Sequence, residues 1–383
     1  MKLGALCNVV RGSSPRPQGD ARFYGGPIPR LMVADLTRDG KHVRPQIDSL
    51  TIEGARLSRP MKAGDVVIAV SGNPGLTAIL VNDACIHDGF VGLRDLEATR
   101  LTTDFLYRYL TFIKDQNHGL AVGAIFKNLT TDQIKDIDVP LPPLSEQKRI
   151  AAILDKADEL REKRRQALAK LDTLTQSLFL EMFGDPIHNE RKWALDELGE
   201  MARVERGKFT PRPRGDPSFY GGRFPFIQTG DISNSGGRLR LWSQTLNDKG
   251  VKVSRSFPPG TVVIAIVGAT LGITSILDIE VYCPDSVVGI QAHASKASAE
   301  YIERVLRFWR PIFVAQAPET ARANINLETL RPLKIPCPPF LLQSEYARRV
   351  GSMEKLKVSH QSAISKLDTL FASLQHRAFR GEL

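Results

Sequence analysis

Cysteine, tryptophan and long apolar runs are all scarce in this chain of 383 residues. Its four cysteines, Cys7, Cys85, Cys283 and Cys337, stand far apart with no Cys-x-x-Cys spacing. That spacing excludes a zinc ribbon and a disulfide framework, and fits a reduced, cytoplasmic setting. The longest apolar runs, such as TVVIAIVG at 261–268, have the length of strands, so no membrane span is expected. The early LGALC is a poor lipoprotein cleavage site, with Leu6 where a small residue is needed and Arg11 close behind, so export is not expected. Neither GxGxxG nor GxxxxGK(S/T) occurs, and the seven histidines show no HExxH spacing. No dinucleotide site, no motor function and no metal site is therefore expected.

What the chain does have is positive charge and repetition. Lys and Arg exceed Asp and Glu by ten, a surplus that favours a polyanionic partner such as nucleic acid. Residues 15–26, PRPQGDARFYGG, return as PRPRGDPSFYGG at 211–222, nine of twelve positions identical at an offset of 196. At the same offset GDVVIAVSG (64–72) answers GTVVIAIVG (260–268), VPLPP (139–143) faces IPCPP (335–339), and KLDTL (170–174) recurs at 366–370. CIHDGFVGL from Cys85 parallels CPDSVVGI from Cys283 with a small drift. One unit of roughly 190 residues is thus used twice. Framework strands and helices match, whereas the segments 37–60 and 233–256 hardly align, the pattern expected of two recognition modules with different targets.

Each unit ends in a charged, Leu- and Ala-rich stretch that begins after a proline pair, and the first has no Gly or Pro from 144 to 183. Ile150, Ile153, Ala157, Leu160, Arg164, Ala167, Leu171, Leu174 and Leu178 step by three and four, a heptad seam. The offset carries them to Tyr346, Arg349, Met353, Leu356, His360, Ala363, Leu367, Leu370 and Leu374. Two such helices are expected to zip together antiparallel, with Arg164 facing His360 at the midpoint. The span from 150 to 178 is roughly 42 Å at about 1.5 Å per residue, a little more than one turn of DNA.

These marks, FYGGPIP and FYGGRFPF, IDVPLPPLSEQKRIAAIL, MFGDP at 182–186 and AFRGEL at 378–383, resemble the specificity subunits of type I restriction-modification enzymes. The resemblance covers nearly the whole chain. It implies an α+β fold with two similar mixed target recognition domains, 1–143 and 187–339. Two long antiparallel coiled-coil helices, 144–186 and 340–383, would separate them with pseudo-two-fold symmetry. It also implies a bipartite duplex DNA target, two modification subunits carrying S-adenosylmethionine and the adenine methyltransferase chemistry, and motor-nuclease subunits that join for cleavage. FLLQSEYARRV after the second proline pair departs from LSEQKRIAAIL, which leaves the start of the second helix out of pattern. A methyltransferase needs an Asn/Asp-Pro-Pro-aromatic loop to grip a flipped adenine. The nearest match, CPPF at 337–340, puts a thiol in the amide's place, so the chain is not expected to be an enzyme.

Eleven Lys and Arg stand against four acids between 203 and 255. Most such residues would hold phosphates and a few would read base edges. The paired motif offers Arg16 and Arg212 as common phosphate anchors, with Arg22 and Arg214 beside them. For base reading the candidates are Lys41, Arg44, Arg238 and Arg240 in the unmatched segments, and Lys127, Asn128, Arg322 and Asn324 before the helices. A non-catalytic assembly scaffold and a two-domain DNA-binding regulator share these features and remain open here.

Overall fold

A computed structural model describes residues 1–116, 130–316 and 325–383. The chain forms two compact units, Met1–Arg165 with Ser362–Leu383, and Gln166–Gln361. The division falls inside the two long helices, Leu144–Phe183 and Phe340–Arg380, so each unit holds one recognition domain and a part of both helices.

In the first unit a five-stranded sheet runs Asn8–Arg11, Phe90–Arg94, Val66–Ala69, Thr77–Leu80, His42–Val43. All pairs are antiparallel except the last. A four-stranded sheet runs Asp48–Leu50, Tyr24–Leu31, Ala84–Ile86, Arg59–Met61. The central strand Val66–Ala69 is buried along its whole length because both its faces are covered. Val66 and Ile68 pack with Leu106, Leu110, Ile150, Leu154 and Phe371 on the helical side. Val67 and Ala69 pack with Leu31, Leu36, Ile86 and Phe90 toward the second sheet.

The second unit repeats this order strand for strand. Its five-stranded sheet runs Ala202–Arg206, Val287–Ala292, Val262–Ala265, Thr274–Leu277, Arg238–Leu239, and its four-stranded sheet Gln244–Leu246, Tyr220–Phe226, Val281–Cys283, Arg255–Phe257. The segments 37–60 and 233–256 therefore share one fold despite their unlike sequences. Thr51 and Asn247 cap equivalent short helices by accepting from the N–H of Gly54 and Gly250. Strand register also corrects the cysteine alignment. Cys85 pairs with Arg30 as Tyr282 pairs with Phe226, so Cys85 and Cys283 are not equivalent.

The FYGG turn uses its two glycines for different reasons. Gly25 and Gly221 have φ of 81° and 80°, the left-handed region that favours glycine. At Gly26 and Gly222 a Cβ would stand 2.5 and 2.4 Å from the Cα of Thr51 and Asn247, so only glycine lets the strands meet. The tyrosine hydroxyls donate back to the carbonyls of Pro15 (2.9 Å) and Arg214 (2.5 Å), and both Arg16–Pro17 and Arg212–Pro213 are cis. The motif is thus an architectural corner in both domains.

The helices pair antiparallel within each unit, but on a different seam from the aliphatic one. Leu160, Leu174, Leu356 and Leu370 are exposed (42, 51, 53 and 49%), and Arg164 is exposed as well. Ile153, Leu171, Met353, His360, Leu367 and Leu374 are half-buried, while Ala157 and Leu178 are buried as expected of a seam. The buried stripe instead follows Gln147, Ile150, Leu154, Ala157, Thr175 and Phe179, and at offset 196 Gln343, Tyr346, Val350, Phe371 and Gln375. Charged pairs lie along it. Arg161 donates to Asp368 (2.6 Å) in the first unit, and Lys357 pairs with Asp172 (2.7 Å) in the second, the same two positions of the repeat with the helices exchanged. Moving three residues each way from Arg161 and Asp368 brings Arg164 level with Ser365, five positions from the expected His360. Counting only aliphatic residues misphased the seam because its centre is polar.

Candidate nucleic-acid interface

The basic candidates divide by what already holds them. Lys41 and Arg238, expected to read bases, are engaged within their own units. Lys41 is 15% exposed and ion-pairs with Asp104 (2.7 Å) and Asp155 (2.6 Å), which fastens its strand to two helices. Arg238 is 19% exposed and bridges Asp278 (2.7 Å) and Glu300 (2.5 Å), the latter standing where the first repeat has Asp104. Burial disfavours the charge on Arg238, but those carboxylates outweigh it and hold the guanidinium charged. Two carboxylates on one cation occupy donors that a guanine edge would need and hold both side chains within their own units. Arg240 is half-drawn into the same cluster through Asp278 at 2.7 Å.

Arg16 and Arg212 behave as a matched pair. Both are exposed (69 and 56%) and each hovers over an equivalent carboxylate, Asp88 at 3.6 Å and Asp285 at 3.4 Å. Asp285 collects three arginines, with Arg212 and Arg214 on its carboxylate and Arg206 on its carbonyl. One acid against three cations leaves a net positive surface. Arg22 is pinned by Asp20 (2.7 Å) and lies over the Phe23 ring, and Arg44 is exposed on a loop whose N–H donates to Asp39. Asp39 is held at about 2 by the Arg38 guanidinium and the Arg44 N–H. Lys127, Asn128, Arg322 and Asn324 lie outside the described residues.

Two glutamines at the helix starts, not singled out by sequence, join domain to helix in both units. Gln147 is fully buried, accepts from the N–H of Thr102 (2.9 Å), and donates to the carbonyls of Arg100 (2.7 Å) and Pro142 (3.0 Å). Gln343 makes the same three bonds with Ser298, Lys296 and Pro338. The second helix is therefore in register with the first despite its divergent start, and the shared Gln at offset 196 was the available signal. Among the described residues, no cluster of three or more His, Cys, Asp or Glu is arranged to hold a metal, and no helix is long and apolar enough to cross a membrane.

Comparison with known proteins agrees with this architecture. The family profile for the type I restriction modification DNA specificity domain matches residues 1–170 and 190–364. The type I restriction enzyme EcoBI specificity subunit of Escherichia coli is 23% identical over 362 residues, covering 83% of this chain and 73% of that protein. Two proteins of Methanocaldococcus jannaschii also match. The MjaIX specificity subunit is 23% identical over 59% of this chain, and the putative MjaX specificity subunit 32% identical over 30% of it. These matches span 56% and 28% of the two relatives' own length. The S subunit of the type I restriction-modification system from M. genitalium superposes with a TM-score of 0.60 at 14% identity, over 99% of this chain and 95% of that one. At this identity the likeness concerns the fold.

Proposed function

Because the chain belongs to the type I restriction modification DNA specificity domain family, we propose that it is the DNA specificity subunit of a type I restriction-modification enzyme. Each recognition domain reads one half of a bipartite duplex target, and the helices fix the separation of the halves. The observation that carries this reading is the repetition, in both units, of one domain fastened to one helix start by an identical buried glutamine. Fastening at both ends suits a part whose task is to hold two readers at a set distance.

The subunit recognises and does not catalyse. Two modification subunits supply S-adenosylmethionine and adenine methylation, and motor-nuclease subunits join for restriction. The exposed leucines Leu160, Leu174, Leu356 and Leu370 support such docking, because apolar side chains at heptad spacing on a helix surface suit partner helices.

Methylated adenines mapped in a host carrying this chain and its methyltransferase partner test the reading. A split motif with one modified adenine in each half is expected. Exchanging residues 187–339 for another recognition domain then alters one half only. Equal affinity for selected and random DNA at one stated salt concentration would instead favour an assembly scaffold, and specific binding without any methyltransferase partner a lone regulator.

A further inference from the structure

The two FYGG corners present the same tyrosine to different surroundings. In the first domain the Arg30 guanidinium lies over the Tyr24 ring at 5.3 Å, bonded to Asp48 (2.5 Å) and Ser14 (3.1 Å), and is 4% exposed. The ring face is covered by the protein's own planar cation. In the second domain the equivalent positions are Phe226 and Gln244, facing each other in the same strand register as Arg30 and Asp48. In place of Arg30 the Phe226 ring packs on Phe209 at 5.0 Å, and beside these rings opens a pocket of about 570 Å³, lined by Tyr220, Phe226, Gln228, Gln244, Pro217 and Arg214.

We infer that this cavity receives one nucleobase turned out of the DNA stack, and that its amides select adenine. The inference rests on the proposed reading of the chain as a DNA specificity subunit, and the base meant is one other than the adenine to be methylated. A volume in the range of small-molecule sites, with aromatic walls and a few polar groups, suits one flat heterocycle. Gln228 Nε2 donates to Gln244 Oε1 at 3.1 Å. That bond holds the two amides side by side and leaves Gln228 Oε1 to accept and Gln244 Nε2 to donate. An acceptor beside a donor pairs with adenine's amino group and ring nitrogen; cytosine offers the same pair, and the aromatic walls favour the larger purine ring for stacking. The rim carries Arg212 and Arg214 around Asp285, a positive edge for the flanking phosphates. The first domain lacks this pair of amides, since the equivalent positions carry Met32 and Asp48, the latter bonded to Arg30.

The test uses the chain in complex with its methyltransferase partner and a duplex bearing the mapped target. Each position of the second half-site, apart from the methylated adenine, is replaced in turn by an abasic residue, and separately its neighbour by 2-aminopurine. One adenine position is expected where the abasic residue weakens binding about tenfold and the adjacent 2-aminopurine brightens as its stacking partner leaves the duplex. The double substitution Phe226→Arg with Gln244→Asp, which writes the first domain's pair into the second, erases both signals there and leaves the first half-site unchanged. Gln228→Leu, at a half-buried position, removes the amide with little risk to folding and should abolish the preference for adenine at that position. Sequence-specific binding with no position responding to these variants overturns the cavity's role. Absence of any specific binding overturns the DNA reading itself and the inference with it. Binding of free deoxyadenosine monophosphate that Gln228→Leu abolishes, with no responsive DNA position, assigns the cavity to a free nucleotide and likewise overturns it.

Discussion

Each unit secures its recognition domain to the helices with an aromatic cluster, yet the two clusters are completed by different physics. In the second unit Phe179 and Phe183 meet Tyr301 and Tyr346 at ring distances of 5.0 to 5.6 Å, and Phe179 also meets Phe308 at 5.4 Å. In the first unit Phe379 meets Phe105, Tyr109 and Phe112, but the place of Phe179 is taken by Gln375. Charge supplies the difference. Arg108, 3% exposed, bonds Asp155 and Asp158, and Arg161 lies 4.4 Å over the Phe371 ring. Equal folds therefore need not share sensitivities: the second unit should answer to lost volume, the first to lost charge.

The sharpest way to break this contrast is Phe179→Ala. Phe179 is fully buried and touches four other rings, so a cavity there should cost about 3–5 kcal/mol. Hydrogen exchange resolved along the chain should show the loss in residues 166–361, with the amides of Val66–Ala69 keeping their protection. Equal loss in both units would mean that they unfold as one.

Next in size come Gln147→Ala and Gln343→Ala, which probe what the units share. Each leaves a backbone N–H and two carbonyls without their buried partner, at about 1–3 kcal/mol. The two losses should match within a few tenths of a kcal/mol in urea denaturation, since the bonds are the same. A marked inequality would show that the divergent FLLQ start alters the joint.

A smaller effect separates the units by pH. Burial pushes the Asp155 carboxyl upward, but Lys41 and Arg108 outweigh it and hold it below the usual carboxylate range. Its contribution is therefore fully present above the unfolded value, about 3.9, and is lost as pH falls through the lower folded value. The Asp155 share of the first unit's stability should stay flat from neutrality to about pH 5 and fall below about pH 4, while His87, held below its ordinary value by burial, adds a separate loss as pH falls below about 6.5. Asp155→Asn should remove about 1 kcal/mol at pH 7 and flatten that fall, as read from thermal melts across pH.

These contrasts mark how far the sequence was legible. The duplication and the helix spans could be read because they depend on local chemistry: prolines before a helix and apolar strands of matched length. The seam could not, because Arg161, Asp172, Lys357 and Asp368 look like surface residues until their partners on the other helix are known. The partners of Lys41 and Arg238 were hidden in the opposite sense. A cation in a variable segment looks like a reader of DNA, and only the fold brings Asp104, Asp155 and Glu300 to neutralise it. The second domain's cavity was hidden because its amides, Gln228 and Gln244, come from separate segments that only strand pairing brings together.

The gentlest test concerns what both domains keep on their surfaces. Arg16 and Arg212 stand 3.6 and 3.4 Å from Asp88 and Asp285, too far for strong pairing, and both are exposed, although Arg212 must also release the carbonyls of Phe209 (3.0 Å) and Pro211 (2.8 Å) to turn toward a phosphate. Each single change, Arg16→Gln or Arg212→Gln, should weaken binding to specific and random DNA alike and lower the slope of log affinity against log salt by about one. The partly satisfied Asp88 and Asp285 bound the effect, since removing a nearby arginine also leaves each carboxylate more negative toward the DNA. A loss confined to one base position would instead make that arginine a reader, and one confined to Arg212 would tie it to the rim of the second domain's cavity.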